Sequence, residues 1–163
     1  MKIEESSIVE TNDYRVIIYP ASRPFSAKET KVIAEKLYDF IGSWAAHGKP
    51  LEASFKIEKN QFIIICVDEE KEAASGCSID ELGGVIREID NEFQLGFFDR
   101  MKASFIENGE VKTLKLQDFK KGIKEGKFAP DIQVFDFSKN SYIAFLSDFL
   151  LPLRRSWAGI YIS

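Results

Sequence analysis

Phe62-Ile63-Ile64-Ile65-Cys66-Val67 runs straight into Asp68-Glu69-Glu70, and the chain then narrows to Ala73-Ala74-Ser75-Gly76-Cys77-Ser78 before Ile79-Asp80-Glu81. An unbroken apolar run of this length, rich in β-branched residues and closed by charge, reads as a buried central strand. The small residues after it hand the chain to a helix. That helix start sets free backbone N–H groups beside a thiol and two hydroxyls, in the partly positive field of the first turn.

Upstream, Glu52 to Glu58 alternates through Ala53, Phe55 and Ile57, and Lys59-Asn60 links it to the apolar run as a tight hairpin. Tyr14 to Tyr19 reads as a first strand ended by Pro20. Ser26 with Glu29 three residues on is a capping-box signature. Ile33, Leu37, Phe40, Ile41 and Trp44 then form one apolar stripe of a helix that Gly48 and Pro50 close. Downstream, Ser78 with Glu81 predicts a second cap, followed by the buried face Leu82, Val85, Ile86, Ile89 and Phe93. A strand near Lys102 to Ile106 turns at Asn108-Gly109 and returns through Val111 to Leu116.

Strand, helix, strand, strand, helix, strand is the order of an α+β ferredoxin-like split βαβ sandwich (βαββαβ), here with an extra strand. One domain is expected: a loose arm over 1–13, the core over 14–117 and a C-terminal aromatic-rich extension over 118–163. In the extension, 118–125 reads as a short helix, 132–137 as a strand, and Ser141 to Leu151 as a helix stopped by Pro152. Ile143 to Leu151 is apolar apart from Ser147 and Asp148, so a helix there must be buried. It covers the open face of the sheet, or it builds a homo-oligomer through residues 135–161.

The chain has 163 residues, 45% apolar and 13% aromatic, enough for a real core. Its net charge of -4 opposes a nucleic-acid partner. Cys66 and Cys77 make neither a disulfide framework nor a zinc site, and no metal or cofactor is implied. The apolar stretches fall short of a membrane span, and the N-terminus lacks a signal-peptide core, so a cytoplasmic setting is expected.

In the expected topology the loops Trp44 to Leu51 and Asp68 to Asp80 share an edge. There Cys77 is a candidate nucleophile with His47 as its base, oriented by Asp68 or Glu69. The plainer reading makes Cys77 a small packing residue and His47 a helix-end residue. Ser75, Gly76 and Ser78, with Trp44 and Asp68 beside them, are candidates to bind a small anion; the plainer reading is an ordinary helix cap. At the opposite edge Arg23, Asp99 and Arg100 form a second cluster, an anion clamp or a structural ion pair. Three functions follow. The chain is a ligand-binding or regulatory module with a small-anion pocket, a cysteine-nucleophile enzyme, or an assembly subunit working through its aromatic C-terminus.

At Tyr19-Pro20-Ala21-Ser22-Arg23-Pro24-Phe25, Ser43-Trp44-Ala45-Ala46-His47-Gly48-Lys49-Pro50-Leu51, Ala74-Ser75-Gly76-Cys77-Ser78-Ile79-Asp80 and Phe97-Phe98-Asp99-Arg100, the chain resembles a family of short bacterial proteins often labelled "ABC transporter ATPase". The resemblance implies no particular site or cofactor. The label fails on the residues. Gly48-Lys49 is followed by Pro50 and Gly126-Lys127 by Phe128, so neither pair ends a phosphate-binding loop with the hydroxyl that holds magnesium.

Overall fold

The computed structural model describes residues 13–163, so nearly all of the expected N-terminal arm lies outside the described residues. The elements are β1 (Arg15–Pro20), α1 (Ala27–Ser43), β2 (Ala45–Ala46), β3 (Lys49–Pro50), β4 (Glu52–Glu58), β5 (Phe62–Asp68), α2 (Gly76–Phe93), β6 (Lys102–Glu107), β7 (Glu110–Lys115), α3 (Leu116–Lys124), β8 (Gln133–Phe135), α4 (Tyr142–Asp148) and β9 (Leu150–Pro152). Two short 3₁₀ turns, Leu153–Arg155 and Gly159–Tyr161, follow. Among the described residues no helix is long and apolar enough to cross a membrane.

The first sheet has the order β1-β5-β4, with both neighbours of β5 antiparallel to it. Every residue from Phe62 to Val67 is buried. Ile63, Ile65 and Val67 pack with Ile33 and Leu37 of α1 and Leu82, Ile86 and Ile89 of α2. Phe62, Ile64 and Cys66 pack on the other side with Phe135, Tyr142, Phe145 and Phe149. An apolar layer on each face is why this strand shows no alternation. β1 and β4 are parallel, with α1 between them in sequence and β5 between them in space. α1 starts as the sequence predicts: the Glu29 N–H donates to Ser26 Oγ at 3.1 Å, and the Ser26 N–H donates back to Glu29 Oε1 at 2.8 Å.

β6 departs from the ferredoxin-like expectation. It does not close the first sheet beside β1 but lies in a second, antiparallel sheet of order β7-β6-β8-β9. Two interactions account for this. Asn108 and Gly109, at φ 53° and 78°, make the tight turn that commits β6 to β7 along its whole length. Meanwhile the chain near Ser141 takes the start of β1's outer edge: the Val16 N–H donates to the Asn140 carbonyl at 2.9 Å and the Tyr142 N–H to the Tyr14 carbonyl at 2.8 Å. The second sheet packs Ala103, Phe105 and Val134 against Phe119, Ile123 and Leu153. Gln61 ties the sheets together, its Nε2 donating to Ala21 O at 3.0 Å and to Thr113 Oγ1 at 2.8 Å.

Three local expectations are corrected. Ser75, not Ser78, caps α2, accepting the Ser78 N–H at 3.1 Å, so Cys77 falls inside the first turn. The stretch 45–50 is not plain loop but a miniature hairpin, β2 with β3, whose turn residues His47 and Gly48 sit at φ 51° and 77°. The C-terminal helix stops at Asp148, because Leu150–Pro152 pairs with β8. Its inner face, Tyr142, Phe145 and Phe149, is buried, but Ile143 and Leu146 are 57% and 55% exposed, so the stretch is not buried all round.

Candidate functional site

The loops 44–51 and 68–80 do meet at one rim. The buried Trp44 indole donates to the Ser78 carbonyl at 2.8 Å, and Lys49 lies 3.8 Å from Glu72. Trp44 is therefore a core side chain that fastens the miniature hairpin to α2. Both candidate hydroxyls serve the helix start: Ser75 Oγ accepts the Ser78 N–H, and the Ser78 hydroxyl donates to the Ser75 carbonyl at 2.8 Å. Gly76 is the first helical residue. Asp68 Oδ1 accepts the Glu70 N–H at 3.1 Å, and Glu69 Oε2 accepts the Ala74 N–H at 2.9 Å, which folds the acidic run onto its own backbone. His47 at the hairpin tip and Cys77 are both exposed. Among the described residues no hydrogen bond joins them. No three His, Cys, Asp or Glu side chains converge on a metal-sized site among the described residues.

At the opposite edge the second cluster is divided. Arg23 grips Glu29 with two hydrogen bonds of 2.8 Å and donates to the Phe93 carbonyl at 2.7 Å, pinning the start of α1 to the end of α2. That guanidinium, with the Ser26 N–H, holds the Glu29 carboxyl down at about 2. Asp99 and Arg100, by contrast, line a cleft of about 570 Å³ that Arg23 does not reach.

The cleft runs along the outer edge of β1 at Ile18–Pro20, beneath one face of α2 carrying Asp80, Gly83 and Arg87, and is closed by Phe98 and Phe137. Its position follows from the departure of β6 into the second sheet. Ala21 N–H bonds toward β5's end at Gln61, while the Val16 and Ser22 N–H groups bond outward, to Asn140 and Leu95. Backbone groups alternate along a strand, so the N–H and C=O of Ile18 also point outward. Among the described residues they have no partner.

Each wall has a physical reason. Gly83 leaves the helix surface bare, and a Cβ there would meet only Arg87 Nη1 at 3.8 Å. The Arg87 guanidinium lies 5.1 Å from the centroid of the Phe98 ring, a cation–π contact, and Tyr19 meets Phe98 edge-on at 6.2 Å. Burial pushes the Tyr19 phenol up, against the nearby charge of Arg87. At the base, the Lys102 ammonium donates to Pro20 O at 2.7 Å, to Ser22 Oγ at 3.0 Å and to the Gly96 carbonyl. Gly96 sits at φ 74°, and a Cβ there would collide with Ser22 Oγ, so any side chain at this junction is strained and must displace the Ser22 hydroxyl.

Arg87, Lys102, Tyr19 and Phe98 are members of the site that the sequence reading does not single out. The available signal was Gly83-Gly84 inside an otherwise good helix pattern, which marks a close approach or an open surface. The chain matches no protein-family model, no curated protein and no solved structure.

Proposed function

We propose that this protein is a binding module whose ligand lies in the cleft beside β1 and presents a carboxylate or phosphate to Arg87 and Arg100. β1, α1, β4, β5 and α2 form, in this reading, the first part of a ferredoxin-like arrangement, with the cleft lying where its last strand would run. The observation behind the proposal is electrostatic. In a chain of net charge -4, the cleft gathers Arg87, Arg100 and Lys102 against Asp80 and Asp99. Among the described residues neither arginine has a carboxylate within ion-pair distance. Arginine pairs with carboxylate and phosphate through two parallel N–H donors, and an aromatic wall lowers the local dielectric.

The test is thermal unfolding with succinate or inorganic phosphate, for the native chain and for Arg87→Gln with Arg100→Gln. An anion that binds only the folded state raises the melting temperature. The expected result is a rise that the double variant lacks; an equal rise in both, or none in either, removes the proposal.

A further inference from the structure

We infer that the ligand is an extended peptide segment that joins the first sheet as a short strand opposite Ile18, with an acidic side chain against Arg87 and Arg100. The inference rests on the binding reading above and names its ligand class. The outer edge of β1 is engaged at both ends. Tyr14 and Val16 exchange hydrogen bonds with Tyr142 and Asn140, Pro20 O is held by Lys102, and the Ser22 N–H donates to Leu95 O at 2.7 Å. Among the described residues Ile18 is the residue of this edge with neither its N–H nor its C=O engaged, and it lines the cleft. From Val16 to Pro20 a strand advances about 13 Å, the length of roughly four extended residues.

A small anion satisfies the arginines but not the Ile18 N–H and C=O. A main chain satisfies both, because one residue of an added strand exchanges two hydrogen bonds with its opposite number. The faces also sort. Side chains paired across strands lie on the same face, and Ile18 packs with the aromatic cluster that includes Phe137. The residue opposite Ile18 is therefore apolar. Its neighbours point to the other face, under α2, where Gly83 leaves room and Arg87 stands one turn on. An acidic residue next to an apolar one is the pattern this edge accepts.

The test uses the full ¹⁵N-labelled chain with acetyl-Thr-Glu-Val-Thr-amide and the same peptide N-methylated at valine. The expected result is a shift of the Ile18 amide resonance, slower hydrogen exchange at that amide on binding, and about tenfold weaker binding of the N-methyl peptide, the loss of roughly one hydrogen bond. Gly83→Leu, which fills the cleft from a glycine whose added Cβ would meet only Arg87 Nη1 at 3.8 Å, abolishes the binding and with it the Ile18 amide response. Three results overturn strand addition: an Ile18 amide already protected in the free chain, equal affinity for the two peptides, or no binding of either. If the peptides fail while succinate or phosphate still stabilises the native chain and not the arginine double variant, the anion-binding cleft stands and only its peptide ligand is lost.

Discussion

Lys102 Nζ lies 2.7 Å from the carbonyl oxygen of Pro20, a residue with no N–H of its own, at the point where the first sheet's edge meets the start of the second sheet. The ammonium is the common donor for Pro20, Ser22 and Gly96, and no carboxylate neutralises it within ion-pair distance among the described residues. Lys102→Met keeps the length of the side chain but leaves Pro20 O without its donor, while Gly96 O keeps the Asp99 N–H at 3.2 Å and the exposed Ser22 hydroxyl turns to solvent. A loss of about 1–3 kcal/mol is expected in urea unfolding at pH 7, the cost of one polar group left without its partner.

The same lysine gives a pH signature. Burial pushes it down to about 8 from its ordinary 10.5, opposed by Asp99 and Asp90. Between these two values the unfolded chain holds the proton and the folded chain does not, so this group adds stability as pH rises across that window. Below it both states are charged and the burial penalty is present in full. The stability gap between native chain and Lys102→Met should widen from pH 8 to pH 10.5; a constant gap would show that the ammonium is not titrating there.

Glu29 behaves in the opposite sense. Its carboxyl is held at about 2 against an ordinary 4.5, so its stabilising effect is complete above pH 4.5 and is lost as pH falls through 2. Glu29→Gln should lose about 1 kcal/mol at neutral pH, the worth of a helix cap. It should also flatten the acid side of the stability profile. The Arg23 side chain is 45% exposed, so solvent screening keeps the effect small.

The two thiols should separate cleanly. Cys66 is buried with its thiol pushed up to about 11, whereas Cys77 is exposed in the first turn of α2. Iodoacetamide is expected to modify Cys77 in the native chain and to reach Cys66 only after unfolding. With no hydrogen bond between His47 and Cys77, His47→Ala should leave the labelling rate unchanged. A slower rate would favour the cysteine-nucleophile reading over the binding module.

What the sequence discloses tracks how local the deciding physics is. The β5 run, the Ser26–Glu29 box and the Asn108-Gly109 turn are set by neighbours a few residues apart, and each stands where it is expected. At the start of α2 the Ser78–Glu81 spacing points to Ser78, yet Ser75, with no glutamate three residues on, is the cap. It takes the Ser78 N–H, while the Ser78 hydroxyl turns back to the Ser75 carbonyl and the distant Trp44 indole bonds the Ser78 carbonyl. The sheet to which β6 belongs depends on Asn140 and Tyr142 reaching back to β1, a pairing no local pattern announces. The cleft is least legible of all. In the sequence Arg87 looks like any solvent-facing helix charge, and Lys102 like a polar residue at a strand's start.

The double burial of β5 also bears on how the chain is made. Its helical cover is translated just before it, as α1, and soon after it, as α2, but the aromatic cover supplied by Phe135, Phe145 and Phe149 leaves the ribosome much later. Through that interval the nascent chain presents Phe62, Ile64 and Cys66 to solvent as a sticky stripe. Chains cut short before Phe135 should accordingly be recovered in inclusion bodies, because half of the central strand would never be sheltered.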